Sequence, residues 1–284
     1  MTLTEPRGYA GTGTSHVAGY NGVTYAYRQL GPDGARPLVL LQHFRGNLDN
    51  WDPALIDALA VDRRVVTFDN VGVGGTTGVT PTSITAMAQD AITFLDGLNL
   101  SDVDLLGFSI GSFVAQEMAL IRPSIVRRIV LASAAPQGAP GMHGWADDII
   151  DAVGKPQVDA DGVLHSFFRD TPTSRQAGVD FLKRLGVRST ERDEPTTWQT
   201  RNAQYDAVNS WGTPDFSLLQ RPNAIKQPVL VANGDDDRMI LPWYSYLLAS
   251  LLPNAEVRIY PDSAHGFLFQ HHADFSADVL AFLS

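Results

Sequence analysis

Gly107-Phe108-Ser109-Ile110-Gly111 has the form G-x-S-x-G, a serine flanked at two residues' distance by residues without side chains. A serine hydroxyl is a weak nucleophile until a base takes its proton and an acid holds that base in the right tautomer. Ser109 therefore directs attention downstream. Val229 to Ala232 reads as a buried strand that runs into Asn233-Gly234-Asp235-Asp236-Asp237. Val257 to Tyr260 reads as another, running into Pro261-Asp262-Ser263-Ala264-His265-Gly266. The chain order is serine, acid, histidine. In a parallel sheet, ligands collect beyond the carboxyl ends of the strands, and all these candidates fall there on separate strands.

Acyl transfer also needs two fixed N–H groups aimed at the oxygen that becomes negative. Ile110, directly after Ser109, supplies one. The other is expected from the loop after a strand at Leu38 to Leu41, where Gln42-His43-Phe44-Arg45-Gly46 stands, with Phe44 as donor. His43 ends the same strand and is an alternative base; the base comes last in the triad order, which favours His265.

These groups need elements to hold them. Short β-branched runs alternate with longer helical patterns, the rhythm of a mostly parallel sheet with helices on both faces. Asn21-Gly22 between His16 to Tyr20 and Val23 to Arg28 is a two-residue hairpin signal, so the sheet is expected to open with an antiparallel pair. Near-continuously apolar runs follow at Leu38 to Leu41, Val65 to Phe68, Val103 to Phe108, Ile129 to Ala132, Val229 to Ala232 and Val257 to Tyr260, as strands buried on both faces require. Helical patterns lie near Pro53 to Ala60, Ser83 to Leu98, Gly111 to Ile121, Trp243 to Leu251 and Ala273 to Phe282. Between Ala132 and Val229 lies far more chain than a crossover needs. The segment 137–226 reads as an inserted helical cap between the sixth and seventh of eight strands, with 1–136 and 227–284 as the core. Pro172 and Pro195 mark plausible helix starts within it.

With 284 residues, 44% hydrophobic, the chain can bury a large core. Lys+Arg 21 against Asp+Glu 31 leaves a net charge of −10, with no basic run, which argues against nucleic acid and anionic membranes as partners. The absence of cysteine removes disulfides, thiolate metal sites and cysteine nucleophiles. Residues Met1 to Gly11 contain no apolar core of a signal peptide, and no stretch approaches the ~18 apolar residues of a membrane helix. A cytoplasmic location is expected.

Together these motifs resemble the α/β-hydrolase fold over essentially the whole chain. Gly234-Asp235-Asp236-Asp237 with Met239-Ile240-Leu241-Pro242, and Asp262-Ser263-Ala264-His265-Gly266, most resemble small esterases and cofactor-free haloperoxidase (perhydrolase) relatives. In that register the acid is the third residue after the glycine, which selects Asp237; Ser109 becomes the nucleophile and His265 the base. The chain departs from the family twice. Its usual His-Gly before the oxyanion residue reads Gln42-His43, and its Asp-x-Arg-Gly-x-Gly-x-Ser loop reads Asp69-Asn70-Val71-Gly72-Val73-Gly74-Gly75-Thr76, without the arginine. That loop is still expected to border the pocket.

Other chemistry finds no support. The glycines at 72, 74, 75 and 78 miss G-x-G-x-x-G because residue 77 is Thr. No phosphate loop, H-E-x-x-H or His-x-x-x-His pair stands in the chain, so neither metal nor cofactor is expected. His16, His143, His165, His271 and His272 read as surface or packing residues, with His143 a pocket candidate by its place in the cap. His43, Trp145, Phe168 and Trp211 are expected to line the substrate pocket. The expected activity is hydrolysis of a carboxylic ester or lactone of a small apolar substrate through an acyl-enzyme. The same triad would serve a perhydrolase or haloperoxidase, or cleave a carbon–carbon bond beside a ketone; a binding protein on the same fold is the non-enzymatic alternative. A homo-oligomer is compatible with the sequence.

Overall fold

A computed structural model describes residues 8–142 and 144–284. The expectation for His143 and part of that for Met1 to Gly11 lie outside the described residues. The strands are β1 (Ser15–Ala18), β2 (Thr24–Leu30), β3 (Pro37–Leu41), β4 (Arg64–Phe68), β5 (Val103–Phe108), β6 (Val126–Ala132), β7 (Val229–Gly234) and β8 (Ala255–Tyr260). They form one eight-stranded sheet in the order β1-β2-β4-β3-β5-β6-β7-β8. β2 runs antiparallel to β1 and β4, and all later pairings are parallel. The opening hairpin has a longer turn than two residues. Gly19 N–H donates to Val23 O at 2.8 Å, enclosing Tyr20, Asn21 and Gly22.

β5 and β7 are buried at every position, so both faces of the sheet are covered there. β8 departs from the expectation of burial on both faces: its residues alternate between exposed and half-buried until Tyr260, because it is the edge strand.

The helices are α1 (Pro53–Leu59), α2 (Ile84–Gly97), α3 (Ile110–Ile121), α4 (Asp147–Val153), α5 (Ala160–Phe167), α6 (Pro172–Leu185), α7 (Trp198–Gly212), α8 (Pro242–Leu251), α9 (Phe267–Gln270) and α10 (His272–Leu283). α4 to α7 all fall between β6 and β7. Pro172 is the first residue of α6, after the Thr171 side chain that accepts from Ser174 N–H. Pro195 precedes α7 without opening it, since Thr197 is the capping residue there. α6 is anchored to the start of α1 by Arg184, whose Nη2 lies 2.6 Å from the buried Asp52 carboxylate. No helix among the described residues is long and apolar enough to cross a membrane.

Candidate active site

Ser109 occupies the turn between β5 and α3 with φ 57 and ψ −123, a conformation that a residue with a side chain adopts only under strain. The two flanking glycines make the turn feasible. A Cβ at Gly107 would stand 2.3 Å from the carbonyl oxygen of Gly111, and a Cβ at Gly111 would stand 2.1 Å from that of Leu41 on β3. Either contact is far inside van der Waals range, so the spacing of G-x-S-x-G is a steric requirement of this crossing.

The three acids after β7 separate into different roles. Asp235 accepts from the N–H groups of Asp262 (3.0 Å) and Ser263 (3.1 Å), fastening the loop that carries His265. Asp236 points outward and pairs with Arg169 at 3.0 Å. Asp237 is buried, and its Oδ1 accepts from the N–H groups of Met239 (2.8 Å) and Ile240 (2.9 Å). Its Oδ2 lies 2.8 Å from His265 Nδ1. A carboxylate can only accept, so this contact puts the proton on Nδ1 and leaves Nε2 as the basic atom. His265 is itself 1% exposed, with its ring packed on Phe108 and edge-on to Phe167.

Ser109 and His265 line one cavity of about 330 Å³, together with His43, Phe44 and Met239. The loop after β3 enters this cavity in an unusually well-fastened form. His43 N–H donates to Gln42 Oε1 (2.9 Å), Arg45 N–H to Gln204 Oε1 (2.7 Å) and Gly46 N–H to His43 O (3.0 Å). Asn47 N–H donates to Asn50 Oδ1 (2.9 Å) and Leu48 N–H to Asp69 Oδ1 (2.8 Å). From 43 to 48, only the Phe44 N–H has no acceptor among the described residues. The N–H of Ile110, first in α3, is likewise without one. Two unpaired N–H groups on the turns that flank the cavity are what an oxyanion site requires.

His43 differs from His265 in its partner. Its Nδ1 stands 2.9 Å from the carbonyl oxygen of Phe44, which accepts. Burial pushes its imidazolium down to about 4, aided by the neighbouring His265. An imidazole so weakly basic, without a carboxylate to steady its cation, is a poor general base near neutrality.

Of the four residues expected to line the pocket, His43 does so. Trp145 packs edge-on against Phe44 and beside Tyr205, outside the cavity lining. Trp211 stacks on Phe113 at 5.1 Å and donates its indole N–H to Ala135 O (3.2 Å), as a core residue. Phe168 is not part of the lining and packs behind Phe181. Its neighbour Phe167, at the end of α5, faces the cavity instead, with Phe181, Leu185, Val153 and Val163. Phe167 is the last helical residue and Phe168 has already turned to extended backbone, so their side chains diverge, and an aromatic pair in sequence does not reveal which member faces inward.

The loop 69–76 does not line the cavity, contrary to expectation. It acts one step behind: Asp69 accepts from Leu48 N–H and Gly75 N–H, holding the segment whose Asn47, Asp49 and Asn50 do. Burial and the nearby Asp193 push the Asp69 carboxyl up to about 8. No group of residues that would hold a metal ion occurs among the described residues.

A family model described as alpha/beta hydrolase fold matches residues 36–272. The chain is 27% identical over 255 residues to a protein described, provisionally, as a carbamate hydrolase from Rhizobium rhizogenes, covering 89% of this chain and 94% of that one. It is 27% identical over 281 residues to a non-heme chloroperoxidase from Kitasatospora aureofaciens, covering 93% and 97%. Among solved structures, an alpha/beta hydrolase fold protein from Chitinophaga pinensis superposes with a TM-score of 0.91 at 38% identity, covering 98% of this chain and 99% of that one.

Proposed function

The chain belongs to the alpha/beta hydrolase fold family, and from that premise we propose that it is a serine hydrolase cleaving a carboxylic ester or lactone of a small, largely apolar substrate. The reading rests on one observation above the rest: the buried Asp237–His265 pair opens onto the same cavity as Ser109. His265 Nε2 takes the Ser109 proton as Oγ bonds to the carbonyl carbon, and the N–H groups of Phe44 and Ile110 stabilise the oxyanion. Asp237 holds the imidazole and stabilises its cation. Collapse of the tetrahedral intermediate expels the alcohol, which leaves with the proton from His265. Water then attacks the acyl-enzyme by the same route and releases the acid.

The segment 137–226 acts as the cap in this reading, with 1–136 and 227–284 as the catalytic core. It lines the cavity with the apolar Val153, Val163, Phe167, Phe181 and Leu185, and also with the polar Gln157, Ser166, Asp193 and Thr196. Excluding water there strengthens the hydrogen bonds to the oxyanion. Peroxide in place of water as the second acceptor is the other reading, favoured by the similarity to a non-heme chloroperoxidase.

Exposure to a fluorophosphonate followed by peptide mass spectrometry tests the proposal, alongside turnover of p-nitrophenyl esters of rising chain length. A single label at Ser109 with ester turnover is expected. An unlabelled protein without turnover would overturn it in favour of a binding protein. Peracid formation in the presence of peroxide and acid would identify the second reading.

A further inference from the structure

His43 stands where the esterase-like relatives resembled by the sequence carry glycine, and nothing in the acyl-transfer steps uses its ring. Its geometry is nevertheless specific. The ring lies edge-on to Phe108 at 5.4 Å and to Phe167 at 5.3 Å, the same two phenyl rings that pack against His265. Its Nδ1 is committed to the Phe44 carbonyl oxygen, an atom that can only accept, so Nδ1 carries the proton. Nε2 is then a bare lone pair, and it has no partner among the described residues. Turning the ring over would put a carbon in place of Nδ1 and lose that bond.

We propose that His43 Nε2 is a fixed hydrogen-bond acceptor that selects carbonyl substrates bearing an O–H or N–H donor close to the scissile carbonyl, such as α-hydroxy esters. The inference rests on the serine-hydrolase reading above and adds a substrate class to it. Proximity follows from the chain: Phe44, the next residue, supplies one oxyanion N–H, so whatever binds there has its carbonyl one residue from this imidazole. Phe167 and Met239, which line the same cavity as Ser109 and His43, are apolar, and its polar lining comes from residues such as Asn47, Asp49, Ser166 and Asp193. Because burial keeps the ring neutral down to about pH 4, Nε2 stays an acceptor across the working range. A substrate without a donor leaves this lone pair desolvated and unpaired, which penalises it relative to one that fills the bond.

The test compares three p-nitrophenyl esters: lactate, 2-methoxypropanoate and propanoate. The methoxy ester keeps the electron-withdrawing α-oxygen of lactate but has no donor, so it controls for intrinsic reactivity. Wild-type kcat/KM for lactate is expected to exceed that for 2-methoxypropanoate by about tenfold or more. In His43→Phe the ratio should fall to near one, and in His43→Gln, whose side-chain carbonyl can still accept, part of it should return. Equal kcat/KM for the two esters in the wild-type protein would overturn the inference while leaving the serine-hydrolase reading standing. The wild-type ratio decides this even if neither variant folds. Failure of the underlying reading looks different: no ester is turned over and no fluorophosphonate label appears.

Discussion

The turn after β5, which carries Ser109, and the loop after β3, which carries Phe44, reach the same cavity by different physical means. The turn is shaped by close approach of backbone to backbone: Gly107 and Gly111 are required because any Cβ would meet a carbonyl oxygen at 2.3 or 2.1 Å. The loop is shaped by side chains. Gln42 accepts from His43 N–H and donates to Asn47 O, Gln204 on α7 takes Arg45 N–H, and the Arg45 guanidinium donates to the carbonyls of Val153, the last residue of α4, and of Lys155 and Pro156 beyond it. A feature enforced by local sterics leaves a short pattern in the sequence. One enforced by partners at |i−j| of 159 or 108 leaves none.

Replacing Ser109 by Ala gives the largest effect. Turnover should drop at least about a thousandfold, with thermal stability almost unchanged, because the hydroxyl adds no hydrogen bond that the fold depends on. Retained turnover would separate the turn from the chemistry altogether. Gly111→Ala tests how the turn is held. Forcing a methyl group against Leu41 O should cost about 3 kcal/mol or more in chemical denaturation, at the upper end for overpacking since the obstacle is backbone. A variant as stable as wild type would mean that the turn is as adjustable as the loop.

This contrast also explains what could be read in advance. The sheet and its order of elements are legible in the periodicity and turn signals, and the Ser109 turn in G-x-S-x-G, whereas Asp237, His265 and the Phe44 and Ile110 N–H groups are expectations that rest on chain order and the family resemblance. The selection of Asp237 among three consecutive acids needed the family register. Only the structure gives the physical reason: Asp235 is occupied with Asp262 N–H and Ser263 N–H, and Asp236 with Arg169. The cavity wall was not legible. Trp145, Phe168 and Trp211 are as aromatic as Phe167 and Phe181, and what distinguishes them is which neighbour each side chain meets in the folded chain. The loop 69–76 was misjudged for a similar reason, since Asp69 acts on Leu48 across 21 residues of chain.

On the loop side, Gln204→Leu should give a smaller effect of a different kind. Its Oε1 is the acceptor for Arg45 N–H at 2.7 Å, and Gln204 is fully buried. Removing that acceptor leaves the half-buried Arg45 N–H unpaired and frees the Phe44–Arg45 peptide to rotate, so that the Phe44 N–H is aimed less well. We expect kcat to fall about tenfold with KM little changed, as for loss of an interaction made in the transition state. An unaltered kcat would show that the remaining hydrogen bonds hold the loop without α7.

The smallest effect is a pH dependence confined to the loop. The His43 imidazole is held at about 4 by burial against 6.5 in a free side chain. Between those values the unfolded chain binds the proton and the folded protein does not. Folding stability is therefore complete above about pH 6.5 and declines as pH falls towards 4. The slope from this one group cannot exceed about 1.4 kcal/mol per pH unit, and the ring's partial opening to the cavity reduces it. Asp69 works in the opposite direction, since a carboxyl raised to about 8 weakens the fold as pH rises from 4 towards 8. The two slopes overlap, so the wild-type curve alone cannot apportion them, whereas the difference between wild type and His43→Gln isolates the first. That difference, from urea midpoints at pH 4.5, 5.5 and 7.5, should shrink as pH falls. A difference independent of pH would mean that His43 is solvated enough to titrate normally, and the loop would then owe its shape to Gln42, Gln204 and Arg45 alone.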